Sequence, residues 1–576
     1  MEQERLNWLS LADKFAGDGD PKGMRACAQE LWSLDPASMD GAAVMAEAAL
    51  YTGEIEEAQD LVEEILRARP MHLRGRLVQA GIWAQSFELD KEIPLLKCII
   101  AEAEKKLEAL VPDEPYHGII LRALQKAHGW LADAMYLAAE PERAGQELLA
   151  LSKLMPEPED KANFYSKYLF MRNYREEGPR ESKQAAVKYG ELLGAVPYQH
   201  KDVERLPEKK LRIGYLSPDF RQHAVANFVA PLLKKFDGNR FMVYVYSTGK
   251  KDAVTKRLQS GPISWRDLRG RSPRTAARLI AEDGIDILVD LSGHTQDSTL
   301  PITALRPAPV QMAGIGYMNT TGLAAVDYFL SDETCLPTGD DGPATGFTER
   351  IIRMPHSHLC YAPGYVRELP PAASEAAVHR NGYVTFGSFN NLAKVTDEVL
   401  LLWRGILEQV RGSRLVLKGK LCSIPSGRKL LQQRLSRLNF ELGRVELRPY
   451  SPDYLEQYND IDIALDTAPY NGGVTTCEAL FMGVPVITMR GRTHGSRFGA
   501  SILVNAGVQE LVVENDINYV RRAVQVGNSP QLIGAYHSGL RANVLKSPLM
   551  DIKGYMHDLE LMYRGMWHRF CKEGLH

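Results

Sequence analysis

Near residue 200 the hydrophobic periodicity of this chain changes, so two architectures must follow one another. Up to that point apolar side chains recur at helical spacing, with proline closing successive segments. Beyond "VPYQHKDVERLPEKK" (196–210), short apolar runs alternate with amphipathic stretches. The first pattern predicts stacked helices, and the second predicts an α/β fold with parallel strands. At 576 residues the chain is also too long for one core.

In the helical part, "LWSLDP" ends at Pro36 and "ILRARP" at Pro70, 34 residues apart. That is the tetratricopeptide period. Ala58, Ala144 and Ala185 each stand twelve residues before a proline (Pro70, Pro156 and Pro197), where close helix packing wants a small side chain. The later intervals break the period, which predicts an irregular array with an insertion near "EALVPDEP"; a plain helical bundle is the alternative. Either arrangement presents a surface to another protein.

Candidate strands of a first α/β half are 211–217, 241–247, 285–291, 310–317 and 326–332. A second series comprises 383–389, 413–419, 444–450, 461–467 and 485–491. Ligands of two such doubly wound halves sit at the carboxyl ends of the strands, in the cleft between them. The expected domains are a helical region (1–200), a first half (201–375), a second half (376–545) and a returning C-terminal helix (546–576). In that helix Ile552, Tyr555, Met556, Leu559, Met562, Tyr563 and Met566 form an apolar stripe.

A net charge of −3 leaves no basic footprint for nucleic acid. Seven scattered cysteines without a C-x-x-C pair argue against a disulfide framework or a zinc site. No apolar run approaches a membrane span and no leader-like segment opens the chain, so a cytoplasmic location is expected.

The stretch "DTAPYNGGVTTCEALFMGVPVITM" (466–489) concentrates the binding chemistry. Asp466 and Thr467 close a strand, and Gly472 and Gly473 permit positive φ or a close backbone approach. Thr475 and Thr476 then open a helix whose first N–H groups suit an anion. Glu478 falls in the first turn, placed to accept ribose hydroxyls or to close a capping box with Thr475. The missing cation is Lys394 in "GSFNNLAKV", expected on the first turn of a helix. Asp460 and Asp462 form a D-x-D pattern at the wrong end of a strand for a ligand, so a cap or turn role is expected and no required metal.

In the first half, "SPDFRQH" puts Asp219, Arg221 and His223 past the end of a strand, with His223 as candidate general base. His294 in "DLSGHTQ" is a second candidate. "GIGYMNTTGL" (314–323) offers Gly316 and Tyr317 for donor binding, and Thr320 and Thr321 for sugar or acceptor contact.

Taken in order, "SPDFRQH", "DGIDILVDLSGHT", "LRPAPVQMAGIGYMNTTGL", "SFNNLAKV", "DTAPYNGGVTTCEALFMGVPVITM" and "SRFGAS" make residues 210–570 resemble the bacterial members of the O-GlcNAc transferase/SPINDLY family. The resemblance implies a GT-B fold of two Rossmann-like halves behind tetratricopeptide-like helices. It implies inverting, metal-independent sugar transfer from a nucleotide sugar to Ser/Thr hydroxyls of a protein acceptor. On that resemblance His223 matches the essential histidine, Lys394 the diphosphate-holding lysine, and Asn391 the polar residue three positions before it. Gly473, Thr475 and Thr476 fall in the phosphate loop, and Glu478 replaces a ribose-binding aspartate. Two departures stand out. Val474 occupies the place of a histidine in animal relatives, and Glu456 lies at or near the place of their nucleoside-contacting histidine. The expected donor is UDP-GlcNAc, with GDP-fucose second because "LSGHT" and "MGVPVITM" lean toward the plant SPINDLY branch. The acceptor is expected to dock on the N-terminal helices, a surface protein such as flagellin being one guess. The rivals are a non-catalytic tetratricopeptide scaffold and an enzyme of small sugars on the same fold.

Overall fold

The computed structural model describes residues 1–111, 115–339 and 342–573. The chain forms two compact units, Met1–Phe164 with Leu421–Arg434, and Tyr165–Lys420 with Leu435–His576.

The first unit is built from antiparallel helices α1 (Glu2–Gly17), α2 (Pro21–Leu34), α3 (Met39–Thr52), α4 (Ile55–Ala68), α5 (Leu73–Gln85), α6 (Leu89–Glu108), α7 (Pro115–Leu137) and α8 (Pro141–Leu154). Helices α9 (Pro158–Arg172) and α10 (Pro179–Leu193) carry the pattern into the second unit. α3 and α5 begin 34 residues apart, as the proline spacing predicts. Capping sets these starts: Asp20 accepts from the Lys22 and Gly23 amides ahead of α2, and Ser38 accepts from the Gly41 amide ahead of α3. In "GAAVMAEAAL", alanines 42, 43, 46, 48 and 49 are all buried, so neighbouring helices approach closely on several sides of α3. Ala58, Ala144 and Ala185 are buried too, at the close-packing positions expected of them. The period breaks after α5 because α6 runs 20 residues and α7 runs 23. The residues at 112–114, within the expected insertion, lie outside the described residues.

The second unit holds two parallel sheets. The first contains β1 (Leu211–Ser217), β2 (Phe241–Ser247), β3 (Ile263–Asp267), β4 (Ile287–Asp290), β5 (Val310–Ala313), β6 (Tyr328–Asp332) and β7 (Arg350–Met354), in spatial order 3-2-1-4-5-6-7. The second contains β8 (Thr385–Ser388), β9 (Arg414–Gly419), β10 (Val445–Pro449), β11 (Ile463–Leu465), β12 (Val486–Met489) and β13 (Val512–Val513), in order 10-9-8-11-12-13. Both orders reverse next to their first strand, which makes each half doubly wound. The central strands are buried on both faces and read as continuous apolar runs. The sequence reading overlooked β3, β7 and β13. All three are edge strands, and "ISWRD" and "RIIRM" carry the charges that an open edge tolerates.

The C-terminal helix Ile552–Glu573 returns to the first half. Tyr563 meets Tyr215 hydroxyl to hydroxyl at 3.2 Å, and Tyr555 donates to the His358 carbonyl at 2.9 Å. Its expected stripe is buried except for half-buried Ile552 and Met562, and Trp567 and Phe570 extend it. Among the described residues no helix is long and apolar enough to cross a membrane.

Candidate active site

The second sheet reverses order between β8 and β11, and the loops leaving these two strands meet there. Asp466, at the end of β11, is fully buried and braces the crossing. Its Oδ1 accepts from the Gly472 amide at 2.7 Å and the Thr467 amide at 2.9 Å, and its Oδ2 accepts from Thr488 Oγ1 at 2.7 Å. Asn390, just past β8, links the two loops. Its Oδ1 accepts from Thr475 Oγ1 at 2.7 Å, and its amide lies 3.5 Å from Asp466 Oδ1.

Lys394 closes the same crest. Its ammonium donates to the Asn471 carbonyl at 2.9 Å and sits 3.5 Å from the centre of the Tyr470 ring. It stands on a 3-10 turn, Leu392–Lys394, rather than on the first turn of a helix; the helix begins at Asp397 behind a Thr396 cap. Burial lowers the Lys394 ammonium to about 8, against the attraction of Asp466. Burial likewise lifts the Asp466 carboxyl to about 6, against the hydrogen bonds it accepts and the charge of Lys394. Asn391 is exposed and caps the 3-10 turn by accepting from the Ala393 amide.

Helix Val474–Phe481 starts directly on this crest with Gly473 as its cap residue and no side-chain cap. The capping box of Thr475 with Glu478 therefore does not form. Thr475 bonds Asn390, Thr476 Oγ1 donates to the Gly472 carbonyl at 3.1 Å, and Glu478 turns into the protein. Neither Gly472 nor Gly473 has positive φ. Gly472 is required by close approach, because a Cβ there would lie 2.5 Å from Thr475 Oγ1 and 2.6 Å from Thr476 Oγ1. At Gly473 a Cβ would meet only Phe228 Cε2, at 3.9 Å, which leaves open space above the helix terminus. The first N–H groups of this helix point along the same axis, so the terminus carries positive potential.

Glu478 accepts from the Tyr454 hydroxyl and lies 3.5 Å from the Arg367 guanidinium. Burial raises it to about 7, opposed by Tyr454 and Arg367. Arg367 belongs to the connection between the halves and lies over the Tyr454 ring. Phe389 packs on Tyr458 with ring centroids 4.4 Å apart, adding an aromatic wall beside β8. Sequence reading passed over Asn390, Arg367 and Tyr454; no spacing rule marks a residue whose partner is more than twenty positions away. Asp462 and Asp460 take structural roles: Asp462 accepts from the Val378 and Thr385 amides at 2.7 and 2.8 Å, and Asp460 pairs with Arg448 at 2.9 Å.

The first sheet reverses between β1 and β4. The loop after β1 carries Asp219, buried, and His223, 37% exposed, with 3.6 Å between Nδ1 and Oδ2. Burial holds His223 below the ordinary imidazole value, Asp219 pulling it up and Arg221 down. The helix Ala226–Lys234 follows at once, and its Phe228 is the residue that faces Gly473. The histidine loop and the glycine-threonine loop therefore border one cleft.

His294 does not reach that cleft. Its Nε2 donates to the Thr321 carbonyl at 3.0 Å and its Nδ1 accepts from Ser166 Oγ at 2.8 Å, so neither ring nitrogen remains for substrate. Burial lowers it to about 4. Thr320 and Thr321 also turn inward, with both hydroxyls on the Glu349 carboxylate at 2.7 and 2.5 Å. Tyr317 is buried edge-on against His294, and Gly316 lies so close to Leu291 that a Cβ would fall 1.8 Å from its carbonyl oxygen. In this structure the side chains of His294, Tyr317, Thr320 and Thr321 are engaged by protein partners, and a strand end by itself does not fix side-chain direction.

The model of glycosyl transferase family 41 matches residues 172–363 and 374–559. A Solanum lycopersicum protein named probable UDP-N-acetylglucosamine--peptide N-acetylglucosaminyltransferase SPINDLY is 40% identical over 382 residues, 65% of this chain and 40% of its own length. The Hordeum vulgare protein of the same name is 39% identical over 426 residues, 72% of this chain and 44% of its own. The chain thus spans about two fifths of the length of these relatives. A solved structure of a mutant Thermobaculum terrenum O-GlcNAc transferase superposes with a TM-score of 0.77 at 30% identity, over 93% of this chain and 99% of that one. This likeness extends through the helical repeats and both halves, in the GT-B arrangement. Every strand of the two sheets falls inside the matched spans, and the chain belongs to glycosyl transferase family 41.

Proposed function

We propose that this protein transfers a sugar from a nucleoside diphosphate sugar, UDP-GlcNAc first, to Ser/Thr hydroxyls of a protein acceptor. The observation that carries the reading is the convergence of Lys394, the Thr475 and Thr476 hydroxyls and an open helix terminus at one switch point, bordered by the His223 loop of the other half. Such a terminus with a lysine beside it holds a diphosphate without calling on a metal. Glu478, one turn along, offers its carboxylate to a ribose in place of the Tyr454 hydroxyl.

In this reading the acceptor oxygen attacks the anomeric carbon in line as the bond from that carbon to the phosphate oxygen breaks. The bonding pair leaves with the diphosphate, whose charge falls on Lys394 and the helix N–H groups. The acceptor proton passes to His223, held neutral by burial and positioned by the Val225 amide, which donates to its Nδ1 at 3.3 Å, or to a donor phosphate oxygen. Positioning and fixed dipoles supply the acceleration.

GDP-fucose is the second reading. It rests on the "LSGHT" and "MGVPVITM" stretches, which lean toward the plant SPINDLY branch. The N-terminal helices would receive the acceptor, flagellin being one case by family analogy, in the cytoplasm. The test is mass spectrometry of co-expressed acceptor proteins with UDP-GlcNAc and GDP-fucose supplied in parallel. Free sugar without labelled protein would overturn the protein acceptor, and no turnover of either donor would return the chain to the scaffold reading.

A further inference from the structure

Three loops of the second unit converge behind the cleft. Cys335 follows β6, His358 follows β7, and His494 lies on the loop after β12, so the first two belong to one half and the third to the other. All three are buried, and one ligand-capable atom from each lies within 4.8 Å of the others.

The hydrogen bonds around the two histidines fix what they present. Asp332 accepts from His358 Nδ1 at 2.5 Å and from the His358 amide at 3.0 Å. Its carboxylate is held in turn by Ser501 Oγ at 2.8 Å and the Cys335 amide at 2.9 Å. His494 Nδ1 donates to the Met318 carbonyl at 3.1 Å. With Nδ1 the protonated nitrogen in each ring, each Nε2 carries a lone pair. Both Nε2 atoms are buried and have no hydrogen-bond partner. A single orphaned buried nitrogen is costly, and two in one cluster with a thiol point to a missing electrophile.

We propose that Cys335 Sγ, His358 Nε2 and His494 Nε2 bind a zinc-class ion that ties the two halves together. The flanking contacts are those that metal-ligating histidines use, one ring held by a carboxylate and the other by a backbone carbonyl. Two imidazoles and a thiolate select a borderline-soft d-block ion over magnesium or calcium. Zn–N bonds of about 2.0–2.1 Å and a Zn–S bond of about 2.3 Å bring tetrahedral ligand atoms to about 3.3–3.6 Å from one another, so the cluster closes by at most about 1.5 Å. A water takes the fourth position. On binding, the Cys335 S–H bond breaks, its electron pair enters the S–Zn bond and the proton leaves to solvent. The thiolate and the Asp332 carboxylate together balance the charge of the ion. Phe329, Phe347 and Phe498 ring His494 and keep bulk water away.

This site is separate from the diphosphate grip and its role is structural. Cys335 and Phe498 belong to the apolar cluster against which Tyr470 packs, so the ion would stiffen the floor beneath the Lys394 ring contact.

The test uses the full-length protein without a histidine tag. Mass spectrometry of metals should find about one zinc per chain, and cobalt substitution should give a thiolate-to-cobalt charge-transfer band with the visible bands of a tetrahedral site. Cys335→Ser, close in volume, should abolish the charge-transfer band, and His494→Gln should lower zinc affinity by more than about 100-fold. Asp332→Asn should weaken affinity by about 10–100-fold. Wild-type protein should lose thermal stability to a chelator, and Cys335→Ser should not respond. A folded protein that takes up neither zinc nor cobalt overturns the proposal, as does a cobalt spectrum that survives both ligand substitutions.

Discussion

Thr475 donates its hydroxyl hydrogen to Asn390 Oδ1 at 2.7 Å, joining the loops after β11 and β8 at the point where the strand order reverses. The helix terminus is thereby held in place before any anion arrives. Thr475→Val keeps the shape and removes the bond. A net loss of about 1 kcal/mol in stability is expected. The donor KM should rise about 10-fold, since the helix terminus that receives the diphosphate is no longer held in place. Steady-state kinetics beside a urea unfolding curve separates the two effects.

Lys394 links donor binding to pH. Free, its ammonium titrates at about 8. A bound diphosphate favours the charged form and raises that value, so binding near pH 8 takes up protons and affinity falls as pH rises above 8. Stability runs the other way: the folded value lies below the ordinary 10.5, so the folded chain binds fewer protons between about 8 and 10.5 and gains stability as pH rises through that window. Calorimetry of UDP binding in buffers of different ionisation enthalpy should show uptake in wild type and none in Lys394→Met. The same variant should lose about 10²–10³-fold in turnover.

Gly472 and Gly473 should respond differently to alanine. At 472 the new Cβ displaces both threonine hydroxyls, so Gly472→Ala should lower activity and also melting temperature. At 473 the Cβ enters open space beside Phe228, so Gly473→Ala should fold like wild type. Any defect there should read out in donor affinity alone, as measured by titration with UDP.

His223 and His294 should part along the same line. His223 is half-buried with Asp219 as its acidic neighbour, and His223→Ala should cost about 10²–10⁴-fold in turnover with little change in stability. His294→Ala would strand Ser166 Oγ and the Thr321 carbonyl in the interior. A loss of about 2–4 kcal/mol is expected, visible as a lowered urea midpoint.

These contrasts mark how far residue order reaches. Strand β1 runs from Leu211 to Ser217 as its apolar run predicts, because a strand buried on both faces writes itself as a local pattern. The 34-residue interval and the buried alanines of the helical region are local for the same reason. That the glycine-threonine loop and Lys394 meet was also legible, since both leave strand ends where the strand order of the second sheet reverses. Side-chain direction was not. Asn390 meets Thr475 across 85 positions, and Glu478 answers to Tyr454 and Arg367 rather than to Thr475. His294 and Thr321 lie on loops that leave β4 and β5, yet both turn to protein partners. By itself the sequence determined the architecture and which loops gather at the switch points, both of which rest on short-range periodicity and strand ends. Which neighbour grips, which one braces, and how Cys335, His358 and His494 come together were decided only by the tertiary structure. Those choices depend on contacts between segments far apart in the chain, where no local pattern records the geometry.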